Sequence, residues 1–355
     1  MSTMRAVRFH GVGEPLRVED VSVPRPGSGA VLVRVAACGV CASDLHVFDG
    51  TLPNQGAIPF TPGHEASGVI ASIGAGVIGW SEGDRVAMYA GKGCGRCRAC
   101  TTGRPVEECT GTPLTMGVDY DGAWAEYVVV PAANLVRVPD NVPLEVAAIL
   151  CDAVATPYNA VIDVAQVRPG ERVAIYGIGG LGTHAVMIAR MAGAGFIAAI
   201  DPNAGARERA KLLGADLVLD PTDGTAPQAI KDATDGNGVD AAFDFVGANA
   251  VLKQAVASLA IGGRAVIVGV GGDRIQLGPL ILFAVLRTKL LGTYGYQRRH
   301  LETLMRLVAS GRLDVSSSIS ARLPIERAAE GVAILSEKRN DPVRVLLVSG
   351  DSSSV

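Results

Sequence analysis

One segment constrains this chain more than any other: Arg172-Val173-Ala174-Ile175-Tyr176-Gly177-Ile178-Gly179-Gly180-Leu181-Gly182. The apolar run before Gly177 reads as a strand, and Leu181 to Ala192 reads as a helix. The glycines between them fit G-x-G-x-x-G in the one context that gives that pattern meaning. Gly177 permits a tight turn, Gly179 lets backbone approach a pyrophosphate, and Gly182 lets helix and strand pack closely. Gly180 and Leu181 open the helix, whose free N–H groups and dipole favour an anion. Asp201 ends the next strand, Phe196 to Ile200, 19 residues beyond Gly182. A carboxylate there accepts from a ribose 2′-OH and repels a 2′-phosphate, which favours NAD over NADP. The plain alternative is a glycine-rich core turn with Asp201 as a helix cap. Strand, helix and acid placed together favour the dinucleotide.

The same rhythm continues around that motif. A helix over Ala204–Leu213 and strands over Ala241–Phe245, Ala265–Val268 and Lys289–Thr293 alternate as in a buried parallel sheet. The first third differs, with short strand-like runs at Val31–Val35, Gly68–Ile73 and Trp124–Val130 broken by Gly and Pro. These predict a mainly antiparallel β domain with long loops. A helix over Leu301–Ser310 and a strand over Val343–Val348 are expected to rejoin that first domain. The expected division is therefore 1–155, 156–295 and 296–355, with a frayed end at Ser352–Ser354.

With 355 residues, 48% hydrophobic and 19% charged, the chain has material for two cored domains. A net charge of -3 makes no field for nucleic acid or an anionic membrane. The first residues have no apolar leader and no window is apolar enough throughout to span a bilayer, so the expected setting is the cytoplasm. Seven cysteines in that setting read as metal ligands or free thiols.

Cys94, Cys97 and Cys100 stand at successive C-x2-C spacings, with Cys109 nine positions further on. Four thiolates in one short loop suit a closed tetrahedral zinc site that organises it. A redox C-x-x-C or surface thiols are the alternatives. Elsewhere lie Cys38-Gly39-Val40-Cys41-Ala42-Ser43-Asp44-Leu45-His46, Gly63-His64-Glu65 and Cys151-Asp152-Ala153-Val154-Ala155-Thr156.

The order of these motifs, with the cysteine loop between the second and third and the glycine loop after them, resembles the zinc-dependent alcohol dehydrogenases of the medium-chain dehydrogenase/reductase superfamily. The resemblance runs over essentially the whole chain. It implies an α/β fold: a Rossmann-like doubly wound parallel sheet plus a GroES-like, mainly β catalytic domain. It implies two zinc ions, one catalytic and one structural, and NAD. The C-x-[ST]-D-x-H segment makes Cys41 the first catalytic ligand, and G-H-E makes His64 the second. The third stands four before Thr156, at Asp152, with Cys151 as its competitor. Glu65 is expected in or beside the coordination sphere, and Ser43 and His46 as a proton relay. Val246, Gly247, Val268, Gly269 and Val270 are expected along the cofactor, Thr293 at its carboxamide and Arg344 at its pyrophosphate. Leu52, Ala90 and Trp124 fall where the family lines its substrate pocket.

Cys38 is read as a buried apolar group and His184 as packing, while His10 and His300 show no partner pattern. Two departures stand out. The Cys100–Cys109 interval is one residue longer than the family's usual spacing, and Ala42 replaces a phosphate-contacting side chain of some members. The implied reaction moves hydride between an alcohol, secondary by the apolar pocket, and NAD. A polyol dehydrogenase and a zinc- and NAD-binding protein without turnover are the competing readings. The run Leu280–Leu286 is too apolar for solvent and reads as core or as a homodimer or homotetramer contact.

Overall fold

The computed structural model describes residues 2–102, 104, 106–111 and 114–349, so the Ser352–Ser354 end lies outside the described residues. The chain forms two compact units, Met1–Ala155 with Gln297–Val355, and Thr156–Tyr296. The return to the first unit begins at Gln297, one residue later than expected.

The second unit is built on a six-stranded parallel sheet. Its order is Leu217–Leu219, Phe196–Ile200, Arg172–Tyr176, Val239–Asp244, Leu259–Ile267, Lys289–Gly292. In chain order this is 3-2-1-4-5-6, the doubly wound arrangement that binds nucleotides where the order reverses. Ala198, Ala174, Ala242 and Ala265 stand side by side in register across four strands, all fully buried. Side chains this small bring the covering helices close to the sheet. Register also aligns Tyr176 with Ile200 and with Asp244, so the glycine loop, Asp201 and the turn after Asp244 leave the sheet at one end.

The first unit carries a seven-stranded sheet. Its path runs Ile319–Pro324, Arg344–Val348, Ala30–Val40, Ala66–Ile73, Arg85–Met88, Leu135–Arg137, and Tyr127–Pro131 also pairs with Ala30–Val40. All its pairings are antiparallel except the first. Val33, Val35, Ile70, Val86, Met88, Leu135, Val345 and Leu347 form its core. The expected strand over Trp124–Val130 starts later, at Tyr127, and Trp124 turns into that core.

Between the sheets' sequences lies a helical run, Leu144–Val164. Its 21 residues are apolar enough by composition to cross a membrane, but 72% of its apolar window is buried, as in a core helix. It is not uniform. Leu150–Val154 is a π-helical turn, a feature frequent at functional sites, and it contains Cys151 and Asp152.

Candidate metal and nucleotide sites

Strand Ala30–Val40 delivers Cys41 to the start of helix Ala42–Phe48, where it is the N-cap residue. Asp44 closes the cap, because its Oδ2 accepts the Cys41 amide at 2.8 Å. The next stretch brings His64 and Glu65 in just ahead of strand Ala66–Ile73. The π turn supplies Asp152. Antiparallel pairing of Val345 with Val40 carries Arg344 to the same place.

The donor atoms of Cys41, His64 and Asp152 lie within 4.8 Å of one another. Cys41 Sγ is 3.1 Å from Asp152 Oδ2, and His64 Nε2 is 3.7 Å from that oxygen. One thiolate, one imidazole and one carboxylate at these separations fit three corners of a zinc tetrahedron with a fourth left open. Cys151 points elsewhere, its thiol donating to the carbonyls of Ala66 and Ala147, both at 3.3 Å. Burial raises the Cys151 thiol well above its ordinary range.

Charge around the cluster is arranged in pairs. Burial pushes Asp152 up, but His64 and Arg344 outweigh it and hold the carboxyl low. Burial pushes His64 down, yet Asp44 and Asp152 carry it well above the usual imidazole value. Glu65 is fully buried and raised to about 8, chiefly by burial and against the pull of Arg344. The Arg344 guanidinium is 3.1 Å from Glu65 Oε2 and 3.5 Å from Asp152 Oδ2, with only 2% of its side chain exposed. The structure thus pairs Arg344 with carboxylates instead of presenting it to a phosphate, which corrects the pyrophosphate expectation. The pairing depends on strand register between residues far apart in sequence. Ser43 Oγ lies 3.8 Å from Cys41 Sγ, and His46 is 30% exposed on the last turn of the same helix.

The three expected pocket residues part ways. Leu52 is half-buried against Phe9, Val47, Phe60 and Val118. Ala90 is nearly enclosed and accepts from Tyr120 Oη and the Met116 amide. Trp124 has 0% exposure, its Nε1 donates to Gly39 O at 3.3 Å, and its ring meets Phe48 at 5.9 Å. A side chain with no exposed surface cannot touch substrate, so Trp124 is a core residue and the pocket expectation is corrected there. His10 and His300 do have partners: His10 Nε2 sits 2.8 Å from Glu19, and His300 Nδ1 accepts the Gln297 amide. Cys38 is buried and its thiol is raised by burial.

In the cysteine loop, the sulfurs of Cys94, Cys97, Cys100 and Cys109 lie within 4.8 Å of one another. Individual separations are 4.0 Å for Cys94–Cys100, 3.5 Å for Cys97–Cys100 and 3.7 Å for Cys97–Cys109. A tetrahedral site with Zn–S near 2.3 Å has sulfur–sulfur edges of about 3.8 Å. The longer Cys100–Cys109 interval therefore does not remove Cys109 from the cluster. Backbone amides pull the Cys94 and Cys97 thiols below their ordinary value, while at Cys100 the Gly95 amide is outweighed by desolvation and the neighbouring sulfurs, which push the thiol up. Four sulfurs at these separations suit a single metal ion.

In the second unit, Gly177 takes φ +88°, and a Cβ on Gly182 would stand 1.8 Å from Gly177 O. Gly182 has no room for a side chain, and Gly177 holds the left-handed backbone that favours glycine. Gly179 is the N-cap of helix Gly180–Met191. His184 packs inside that helix, its Nδ1 2.7 Å from Gly180 O. Asp201 Oδ1 accepts the Asn203 amide at 2.8 Å.

Asp244, which sequence reasoning passed over, organises the rest of the expected cofactor lining. Its Oδ1 accepts the amides of Val246 and Gly247 at 2.8 and 3.0 Å, and its carbonyl accepts those of Val268 and Gly269, both at 2.9 Å. Val270 follows directly, where its backbone lies under Gly247. The readable signal was an acid closing a strand just before a glycine turn. Thr293 Oγ1 accepts from Asn159 Nδ2 at 3.0 Å, a second residue that was missed.

Comparison with known proteins bears on both sites. Residues 27–140 match the alcohol dehydrogenase GroES-like domain family, and residues 180–310 match the zinc-binding dehydrogenase family. An alcohol dehydrogenase of Geobacillus stearothermophilus is 37% identical over 311 residues, covering 87% of this chain and 90% of that protein. An L-threonine 3-dehydrogenase of Pyrococcus horikoshii is 36% identical, covering 85% of this chain and 86% of that one. Among solved structures, the alcohol dehydrogenase of Thermus sp. ATN1 superposes with a TM-score of 0.88 at 31% identity, over 98% of this chain and 100% of that one.

Proposed function

Because the chain belongs to the zinc-dependent alcohol dehydrogenase family of the medium-chain dehydrogenase/reductase superfamily, we propose that its alcohol oxidoreductase activity acts on secondary alcohols and their ketones, with NAD as hydride acceptor and Cys41, His64 and Asp152 as the catalytic zinc ligands. The observation that carries this reading is the convergence of those three donors from three distant parts of the chain. When bound, zinc lowers the proton affinity of an alcohol hydroxyl and NAD takes up the hydride. The residues do the rest. The Cys41 thiolate and the low-lying Asp152 carboxylate offset the dication's charge. Ser43 receives the hydroxyl proton, and the partly exposed His46 returns it to water. Arg344 stands behind the ligands, 3.1 Å from the buried Glu65 carboxyl. Asp201 favours NAD by accepting from a ribose hydroxyl. Cys94, Cys97, Cys100 and Cys109 hold the structural zinc.

The secondary-alcohol preference draws support from relatives named L-threonine 3-dehydrogenase, since the C3 hydroxyl of threonine is secondary. NADH formation with ethanol, isopropanol, cyclohexanol, L-threonine and sorbitol tests it. Turnover should be highest on a secondary monoalcohol or threonine. Preference for ethanol would overturn the substrate class, preference for sorbitol would favour the polyol reading, and silence with zinc and NAD bound would favour a binding protein.

The reading includes a homodimer or homotetramer in the cytoplasm. Helix Leu280–Leu286 has no buried residue, and Leu280 and Val285 are 87% and 64% exposed. The core-packing alternative for this run is thereby set aside. It adjoins Lys289–Gly292, the edge strand of the parallel sheet, where a second copy would cover both. Light scattering should give at least a dimer, and Leu282→Glu with Val285→Glu should lower the mass; a monomeric wild type would refute the assembly.

A further inference from the structure

Ile178, between the first two glycines of the loop, has both of its backbone polar groups held by charged side chains. Its N–H donates to Asp201 Oδ2 at 2.7 Å. Its carbonyl accepts from Arg209 Nη2 at 2.8 Å and from Thr183 Oγ1 at 3.2 Å. Arg209 Nε donates to the same Thr183 oxygen at 3.2 Å, which closes a triangle of Arg209, Thr183 and the Ile178 carbonyl.

The anchors lie outside the glycine loop. Asp201 directly follows the neighbouring strand Phe196–Ile200, and Arg209 belongs to helix Ala204–Leu212. That helix is itself tied down. Asn203 caps it through the Gly205 amide at 2.7 Å, and Arg207 Nη1 donates to the carbonyls of Asp201 and Pro202 at 2.7 and 2.8 Å. The fixed strand–turn–helix therefore reaches back and grips a loop that its glycines would otherwise leave pliable.

The consequence follows from peptide planarity. The Ile178 carbonyl and the Gly179 N–H belong to one trans peptide unit and point in opposite directions. Holding the carbonyl on Arg209 turns the Gly179 N–H to the other side. Holding the Ile178 N–H on Asp201 fixes the preceding unit in the same way. A phosphate needs N–H groups facing it, and a flipped unit would present a carbonyl oxygen instead. Charge-assisted bonds of this kind are roughly twice as strong as neutral ones, enough to select one orientation before any ligand arrives.

We propose that Arg209 is a positioning residue for the dinucleotide: through the Ile178 carbonyl it presets the backbone of the Gly177–Gly182 loop that receives the pyrophosphate. The proposal rests on the NAD reading above. It gives Asp201 a second task besides the ribose, and it makes Arg209 a determinant of pyrophosphate affinity without contact to the cofactor.

The test uses the full-length, zinc-loaded protein, with NADH binding followed by fluorescence and displaced by ADP-ribose or by adenosine. Arg209→Met keeps side-chain length and helix propensity but has no donor, and Arg209→Gln keeps a neutral donor. Loss of the charge-assisted bond should weaken NADH and ADP-ribose about tenfold in Arg209→Met, and less in Arg209→Gln. Adenosine, which carries no pyrophosphate, should bind as to wild type. Unchanged ADP-ribose affinity would overturn the proposal, as would an equal loss for adenosine, which marks general damage to the site. If Arg209→Met does not fold, Arg209→Gln decides by the same comparison. Failure of the wild type to bind NADH or ADP-ribose would overturn the nucleotide reading itself, before any variant is made.

Discussion

Asp44 Oδ1 faces His64 Nδ1 at 3.3 Å, while the other oxygen of the same carboxylate holds the Cys41 amide at 2.8 Å. One buried acid thus stands against two of the three proposed catalytic ligands. It stands behind the imidazole, whose Nε2 lies 3.7 Å from Asp152 Oδ2, the usual place of a carboxylate behind a ligating histidine. Asp44→Asn keeps a polar group at the cap and loses the charge toward His64. Zinc affinity and kcat/KM should fall by about 10- to 100-fold. Metal analysis after competition with a chelator, alongside initial rates, checks this. Unchanged zinc retention would show that His64 needs no such partner.

Trp124 holds the end of strand Ala30–Val40 through the Gly39 carbonyl and packs on Phe48 of the helix that Cys41 begins. Trp124→Ala should cost about 3–5 kcal/mol of stability, as large truncations in cores do. Trp124→Phe should cost less and leave the ranking of alcohol substrates unchanged. Denaturant unfolding and a substrate panel measure the two effects. A reordered substrate preference in a stably folded Trp124→Phe variant would return this residue to the pocket.

Cys97 stands 3.5 Å from one neighbouring sulfur and 3.7 Å from another. Cys97→Ser should release one zinc per chain, lower the melting temperature and make the loop susceptible to protease. Because a structural site contributes its binding energy to folding, the loss should appear in stability before it appears in substrate affinity. Mass spectrometry under native conditions counts the ions. Retention of two zinc ions by the variant would argue against a four-thiolate site.

Glu171 tests the second unit by pH. Burial pushes its carboxyl up, but Arg264 and the Arg168 amide outweigh burial and bring it below the ordinary glutamate value. A depressed carboxyl contributes stability above its unfolded pKa of about 4.3, and that contribution is lost as pH falls through the lower folded value. Glu171→Gln should therefore be less stable than wild type near neutrality, with the gap closing below about pH 4. Melting temperatures across that range decide; a gap that stays constant with pH would exclude the ionic contribution.

Local motifs were legible because their chemistry is set by spacing. Three cysteines at C-x2-C steps must share a loop, and glycines breaking an apolar strand from a following helix mark a tight turn. Strand Phe196–Ile200 was readable to the residue, being a short apolar run bounded by glycine and aspartate. Element ends were less so: helix Leu301–Ser310 begins three residues earlier, at Arg298, because Gln297 and His300 cap each other's backbone. Residue type alone also misjudged Trp124, since a large aromatic suits a pocket wall and a core equally well.

What the chain's order of residues determined by itself is the set of chemistries available: two groups of metal donors, a phosphate-binding turn and an acid to follow it. Tertiary structure alone decided the partnerships among them. Glu65 meets Arg344 because Val345 pairs with Val40 across the sheet. Asp152, not Cys151, joins the donor cluster, with a π turn setting the direction each faces. Arg209 reaches Ile178 because the next helix folds back on the sheet. Each partnership spans a separation at which local spacing carries no information; strand register and helix packing supply it.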